Sequence, residues 1–161
     1  DGWCAELEKL GALAETLSRL DLAEQMAHTL DGKEILLRIL NMNLFEIEQN
    51  SRVERLAEFK KQYARATDAL TGIMRSFQPE MTDSECMEFC EIFFAYLFGV
   101  YPFAFHTEKQ KAAMELAGIR FREPTVYQMV YRFLLRMIPM GKQKTKKKGK
   151  PDNENHRKPN V

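Results

Sequence analysis

Five times along this chain a Ser, Thr or Asp is followed three positions later by an acidic or amide side chain at the head of an apolar periodic run. The pairs are Ser18 with Asp21, Asp31 with Glu34, Ser51 with Glu54, Thr82 with Glu85, and Thr107 with Gln110. This is the spacing of a helix capping box. The first side chain accepts from a backbone N–H one turn in, and the later side chain reaches back to the N–H of the cap. One such pair is weak evidence of a helix; five at helix-like intervals are hard to place in a strand protein.

The runs behind these starts step by three and four, the spacing of one helical face. Trp3, Leu7, Leu10, Leu13 and Leu17 mark a first helix over about 3–17. Leu22, Ala23, Met26, Ala27 and Leu30 mark a second over 19–30, closed by Asp31-Gly32. Leu36, Ile39, Leu40, Leu44 and Ile47 predict a third over 33–49. Leu56, Phe59, Tyr63, Ala66, Leu70, Ile73 and Phe77 predict a long fourth over 52–77, stopped by Pro79. A fifth covers 83–103, and a short sixth covers 108–117 with Gly118 at its C-cap. The last, 125–138, lies between Pro124 and Pro139. Only 8 Gly and 6 Pro in 161 residues suit this helical content. With no strand alternation and no solenoid repeat, the expectation is all-α: a single antiparallel helical bundle over 1–140.

Charge separates the remainder. Residues 142–161 carry eight Lys/Arg against two Asp/Glu, leaving sixteen against twenty-one, a net −5, before them. The bundle is thus mildly acidic and no DNA-binding surface in itself. The segment 141–161 reads as a basic, disordered tail, solubilising or able to add salt-sensitive, sequence-blind affinity for nucleic acid. The chain opens Asp1-Gly2-Trp3 without an initiator Met, inside what reads as a helix, so a preceding segment is expected. Three cysteines without regular spacing, Cys4, Cys86 and Cys90, point away from a disulfide framework and toward a reducing compartment, hence a cytoplasmic setting. The apolar stretches are broken by charge or Gly before 18 residues, so no membrane span is expected.

Two of the expected helices, the fifth and the last, have apolar residues on every side, whereas a surface helix needs a stripe of only about 100°. Either both are central in one subunit's core, or a second subunit covers the faces the core leaves open. Two helices from each chain then form an isologous four-helix interface. The second alternative suits a bundle of this size, which rarely encloses two helices completely.

Chemistry-bearing patterns are sparse. Cys86 and Cys90 share a helix face, and with His106 they offer three ligands where a structural zinc needs four, so they read as small buried hydrophobes. His28 lies off the apolar stripe and reads as solvated; Glu46 and Glu48 belong to a polar face. No nucleophile–base arrangement and no phosphate loop is present, so neither an enzyme nor a cofactor is expected. Asn43, Tyr63, Tyr96 and Gln128 fall among core positions, where a polar group either bonds between helices or orients a ligand in an apolar, aromatic pocket.

The stretch from Leu36 to Lys60, LLRILNMNLFEIEQNSRVERLAEFK, resembles the sensor domain of TetR-type transcriptional regulators, in which a helix ending in acidic residues and Asn is followed by a short break and a long helix bearing Phe-Lys. The stretch from Gly99 to Ile119, GVYPFAFHTEKQKAAMELAGI, resembles the dimerisation region of the same family. The likeness runs from Trp3 to Pro139. It implies that the chain starts within the family's fourth helix, that 108–117 is an insertion between the eighth and ninth, and that these two helices pair across a two-fold axis. It also implies a ligand-responsive regulator, a repressor in type, whose operator DNA is read by an N-terminal helix-turn-helix head outside this sequence.

On that reading a small, largely apolar effector is held by Trp3, Asn43, Phe59, Tyr63, Phe93 and Tyr96, and a homodimer forms through Phe94, Tyr101, Tyr127, Val130, Tyr131 and Leu134. Trp3 closes the pocket mouth, the other aromatics wall it, and Asn43 and the tyrosines orient polar atoms. The competing reading is a helical protein–protein adaptor that uses the same apolar faces and binds no DNA.

Overall fold

The computed structural model describes residues 2–42 and 48–140, and every regular element among them is helical. In chain order these are α1 (Gly2–Gly11), a 3-10 turn (Ala14–Thr16), α2 (Arg19–His28), α3 (Glu34–Asn41), α4 (Val53–Phe77), α5 (Asp83–Ala104), α6 (Glu108–Leu116) and α7 (Val126–Met137). Residues 48–50 add a helical turn ahead of α4. The expected tail, 141–161, lies outside the described residues.

The caps explain most of the boundaries. Ser18 and Thr82 form full capping boxes with Asp21 and Glu85, and the Thr107 hydroxyl accepts from the Gln110 N–H. Two expected boxes do not form. The Asp31 carboxylate is taken by His28 Nδ1 at 2.7 Å, and α3 starts after Lys33 without a side-chain cap. α4 likewise starts after Arg52, which places Glu54 inside the helix. Thr125 and Gln128 form a box that the sequence reading missed, so Gln128 is an exposed capping residue and not a buried amide. Gly32 and Gly118 take φ of +68° and +67°, closing the turns after α2 and α6 in a conformation costly for other residues.

Two expected helices are shorter than their periodicity suggests. α1 stops at Gly11 and tightens into the 3-10 turn, which leaves Leu13 exposed. α3 stops at Asn41, because Met42 is extended with ψ of 140°. The helix expected to run on to residue 49 is therefore broken, and Asn43 with Leu44 and Ile47 falls outside the described residues.

α5 lies at the centre. It packs against α3, α4 and α7, while α1 lies along α4 and α2 along α7. α4 and α5 run antiparallel, joined by Tyr63–Phe94 at one end and Arg75–Asp83 at the other. α2 and α7 also run antiparallel. The Arg19 guanidinium donates to the Ile138 carbonyl at 2.8 Å and to the Leu135 carbonyl, satisfying acceptors that the end of α7 leaves open. At the opposite end the His28 ring stacks on Tyr127, 4.5 Å between centroids. α1 follows α4 in the same sense, through Cys4–Gln62, Glu8–Arg65 and Gly11–Ile73. Leu7, Leu22, Met26, Leu37, Leu70, Phe93, Leu97 and Leu134 meet in one continuous core.

α5 carries Pro102 inside its last turn. Proline has no N–H to give the carbonyl four residues earlier, which here belongs to Phe98. Asn41 supplies the missing donor: its Nδ2 donates to the Phe98 carbonyl at 2.9 Å, tying the end of α3 to α5. By length and composition α5 is also apolar enough to cross a bilayer, with mean hydropathy of 1.3, contrary to the expectation from interrupted runs. Its packing accounts for part of that composition, since Cys86, Phe89, Cys90, Phe93, Phe94, Leu97 and Val100 are buried within the bundle.

Candidate ligand site and subunit face

α1, α3, α4 and α5 converge on a small cavity of about 90 Å³. Along α4, Phe59, Gln62, Tyr63 and Ala66 share one face at steps of three, one and three and form the longest wall. Trp3 and Cys4 close it from α1, Leu36 and Leu40 from α3, and Phe94 from α5. The aromatic rings meet one another around the space. Tyr63 lies 4.4 Å from Phe94, and Trp3 meets Phe94 edge-on at 6.2 Å.

Trp3 is only 7% exposed, so its indole N–H needs a partner within the protein. It donates to Thr29 Oγ1 at 2.9 Å, and that hydroxyl donates in turn to the Met26 carbonyl at 2.7 Å. The cavity wall on α1 is thereby fastened to the end of α2. Burial pushes the Tyr63 phenol up from its ordinary value, against the opposing charge of Lys60. Tyr63 therefore stays a neutral hydroxyl donor across the physiological range.

The sequence-predicted pocket residues divide. Trp3, Phe59 and Tyr63 line the cavity together. Phe93 does not: it is buried on the α7 side of α5, stacked near Phe89 and Phe133 at 6.0 and 6.1 Å. Tyr96 also faces α7, where its ring lies 3.9 Å from Phe133 and nearly parallel to it. Burial raises the Tyr96 phenol as well, partly offset by Arg136. Sequence reasoning missed Cys4, Leu36, Leu40, Gln62, Ala66 and Phe94 as cavity walls.

The expected interface residues divide in the same way. Phe94, Val130 and Leu134 are buried within the bundle. Tyr127 is covered by His28 of α2, and Tyr131 stacks on Tyr127 at 5.6 Å. Tyr101 is half-buried against Phe105 at 4.9 Å. The apolar surface left open on these two helices lies elsewhere. Ile92 and Phe103 are 37% and 63% exposed on α5, and Met140 is 85% exposed beyond α7. On α5, Ile92, Tyr96, Gly99 and Phe103 follow one helical face, and the Tyr96–Phe133 stack joins it to Met129 and Phe133 of α7.

Among the remaining polar groups, Gln78 Oε1 and His106 Nδ1 are buried without a hydrogen-bond partner among the described residues. The Thr71 hydroxyl lies 3.5 Å from Cys90 Sγ, and burial raises the Cys90 thiol. No grouping of three His, Cys, Asp or Glu side chains suited to a metal occurs among the described residues. α6, which follows α5 in the chain, buries none of its residues; the irregular stretch after it is held by Lys111–Glu123 at 2.9 Å.

The described residues thus form a helical bundle with a small aromatic cavity under the first helix and an open apolar face on α5 and α7. The model of the family described as "Tetracyclin repressor-like, C-terminal domain" matches residues 1–138, and the chain belongs to that family. No curated protein and no solved structure matches it.

Proposed function

We propose that this chain is the effector-sensing and dimerisation domain of a ligand-responsive transcriptional regulator, a repressor in its simplest form. Its chemistry is binding and not catalysis, and its setting is the cytoplasm. The observation that carries the reading is the placement of Trp3. One side chain walls the cavity and, through Thr29, fastens α1 to α2. A molecule entering the cavity meets the helix that, in this family's layout, leads to the DNA-reading head. An occupant that binds one position of α1 better than another shifts the balance between them by its difference in affinity, and DNA affinity follows by the same factor.

The homodimer is proposed to form through the open face of α5 and α7, around Ile92, Tyr96, Phe103 and Phe133. Operator DNA is read by a helix-turn-helix head preceding this domain. Paired heads must match half-sites about 34–36 Å apart, so a small movement of α1 in each subunit changes their fit.

The test takes compounds that raise the melting temperature of the wild-type chain but not of an Ala66→Val variant with a filled cavity. Each is added to the longer gene product on its operator. A changed DNA affinity supports the reading. Unchanged DNA affinity with every such compound, or a chain that stays monomeric at all concentrations, returns the protein to the adaptor class.

A further inference from the structure

We infer that the effector is a small uncharged molecule built on a single aromatic ring and carrying one hydrogen-bond acceptor that meets the Tyr63 hydroxyl. This rests on reading the α1–α3–α4–α5 cavity as the effector site.

Charge is the first constraint. Among the described residues, no Asp, Glu, Lys, Arg or His lines the cavity. A carboxylate or an ammonium group entering it gives up its water and receives no counter-charge in return. Lys60, whose charge reaches Tyr63, is already paired with Glu48 at 2.6 Å.

Shape is the second. Trp3, Phe59, Tyr63 and Phe94 supply rings from three helices, with Trp3 edge-on and Tyr63 tilted toward Phe94. Such rings present both faces and edges, and a further ring gains from either arrangement beyond the area it buries. Size is the third. An apolar cavity of ~150 Å³ accepts benzene. At about 90 Å³ this one matches a single ring with a modest outward shift of a wall. Phe59 is half-buried near the start of α4.

The polar handle is the fourth. The Tyr63 hydroxyl makes no hydrogen bond among the described residues, although its ring is packed against Phe94. The phenol is protonated near neutral pH, so it offers a donor to an acceptor on the ligand. Gln62, on the same wall, can take a second polar atom at the rim.

The chain holds a single tryptophan, Trp3, so its emission reports on the cavity directly. The full chain is titrated with toluene, phenol, benzoate and benzylammonium near neutral pH. Phenol and toluene are expected to shift Trp3 emission saturably, with phenol tighter by up to about tenfold for one hydrogen bond. Both ions are expected to bind at least about a hundredfold more weakly. Tyr63→Phe should drop phenol below toluene, because its hydroxyl is then buried without a partner, and Ala66→Val should abolish both responses. Benzoate or benzylammonium binding as tightly as phenol overturns the uncharged class and leaves the cavity as the ligand site. Phenol keeping its advantage in Tyr63→Phe overturns the assigned handle. If no probe moves the emission, or binding survives Ala66→Val, the cavity reading falls together with the inference.

Discussion

The indole of Trp3 and the hydroxyl of Thr29, 26 residues apart in sequence, are joined by a hydrogen bond of 2.9 Å at the junction of α1 and the end of α2. The bond sits at the inner end of a chain of contacts. Trp3 walls the cavity, Thr29 follows α2, and α2 is fastened to α7 by Arg19 at one end and His28 at the other. A molecule that displaces Trp3 therefore loads both the helix that enters the bundle and, through α2, the helix that borders the proposed subunit face.

Replacing Thr29 with Val keeps the shape and removes the acceptor. The indole N–H is then left without its partner, which costs up to about 3 kcal/mol. A urea titration should show this loss in Thr29→Val. In a Trp3→Phe background, where no N–H remains to be satisfied, the same change should cost markedly less. Equal losses in both backgrounds would show that the bond does not couple the two helices.

A second coupling joins α3 to α5. Pro102 strips the Phe98 carbonyl of its helical donor, and Asn41 replaces it. Asn41→Ala should cost about 1 kcal/mol, the net worth of one hydrogen bond at a site water can reach. With Pro102→Ala the helix has its own N–H again, so the Asn41 substitution should cost less in that background. A double-mutant cycle measures the difference directly. A coupling energy of zero would mean that the carbonyl is equally well served by solvent.

How far the sequence could lead is visible in particular residues. Helix positions were legible because caps and apolar steps are local signals, and Ser18, Thr82 and Thr107 act as their spacing suggests. The Asp31 pair failed for another local reason: its carboxylate is drawn back to His28, three residues earlier, and α3 starts only after Lys33. The sequence pointed to Trp3, Phe59 and Tyr63 because each lies on a one-sided apolar stripe, which has a single inward direction. α5 has no such direction. Phe93 and Phe94 are neighbours about 100° apart around the helix. With apolar residues on all sides, nothing in the pattern says which faces the cavity and which faces α7. The same ambiguity placed Phe94, Val130 and Leu134 at an interface, whereas they are buried within the bundle.

The start of α5 carries a pH signature. Glu85 accepts from the Thr82 N–H at 2.7 Å and from the Thr82 hydroxyl at 2.8 Å. These bonds, the backbone one foremost, hold its carboxyl below the ordinary 4.5. A depressed folded-state value means that the unfolded chain takes up the proton first as pH falls. The contribution is therefore present above 4.5 and is lost as pH drops through the lower folded value. Urea midpoints followed from about pH 6 to about pH 3 should fall less steeply for Glu85→Gln than for the wild type. Parallel curves would assign the acid sensitivity to other carboxylates.

The proposed subunit face makes the last prediction. Phe133 stacks on Tyr96 toward the open side of α5 and α7, so Phe133→Glu sets a charge at the centre of the face. Phe133 also touches Phe93 of the core, and that variant alone could fail through misfolding. Ile92→Glu avoids the difficulty, because Ile92 is already 37% exposed one turn before Tyr96. Burying an unpaired carboxylate against a second copy is unfavourable enough to dissociate an ordinary dimer. Both variants should run at the native mass of one chain, with helical content unchanged for Ile92→Glu. Leu13→Glu, on an exposed apolar residue between α1 and α2, should leave the dimer intact. If Ile92→Glu and Phe133→Glu both remain dimeric, the α5–α7 face is not where two subunits meet. If Leu13→Glu is the one that dissociates, the contact lies at the α1–α2 end of the bundle.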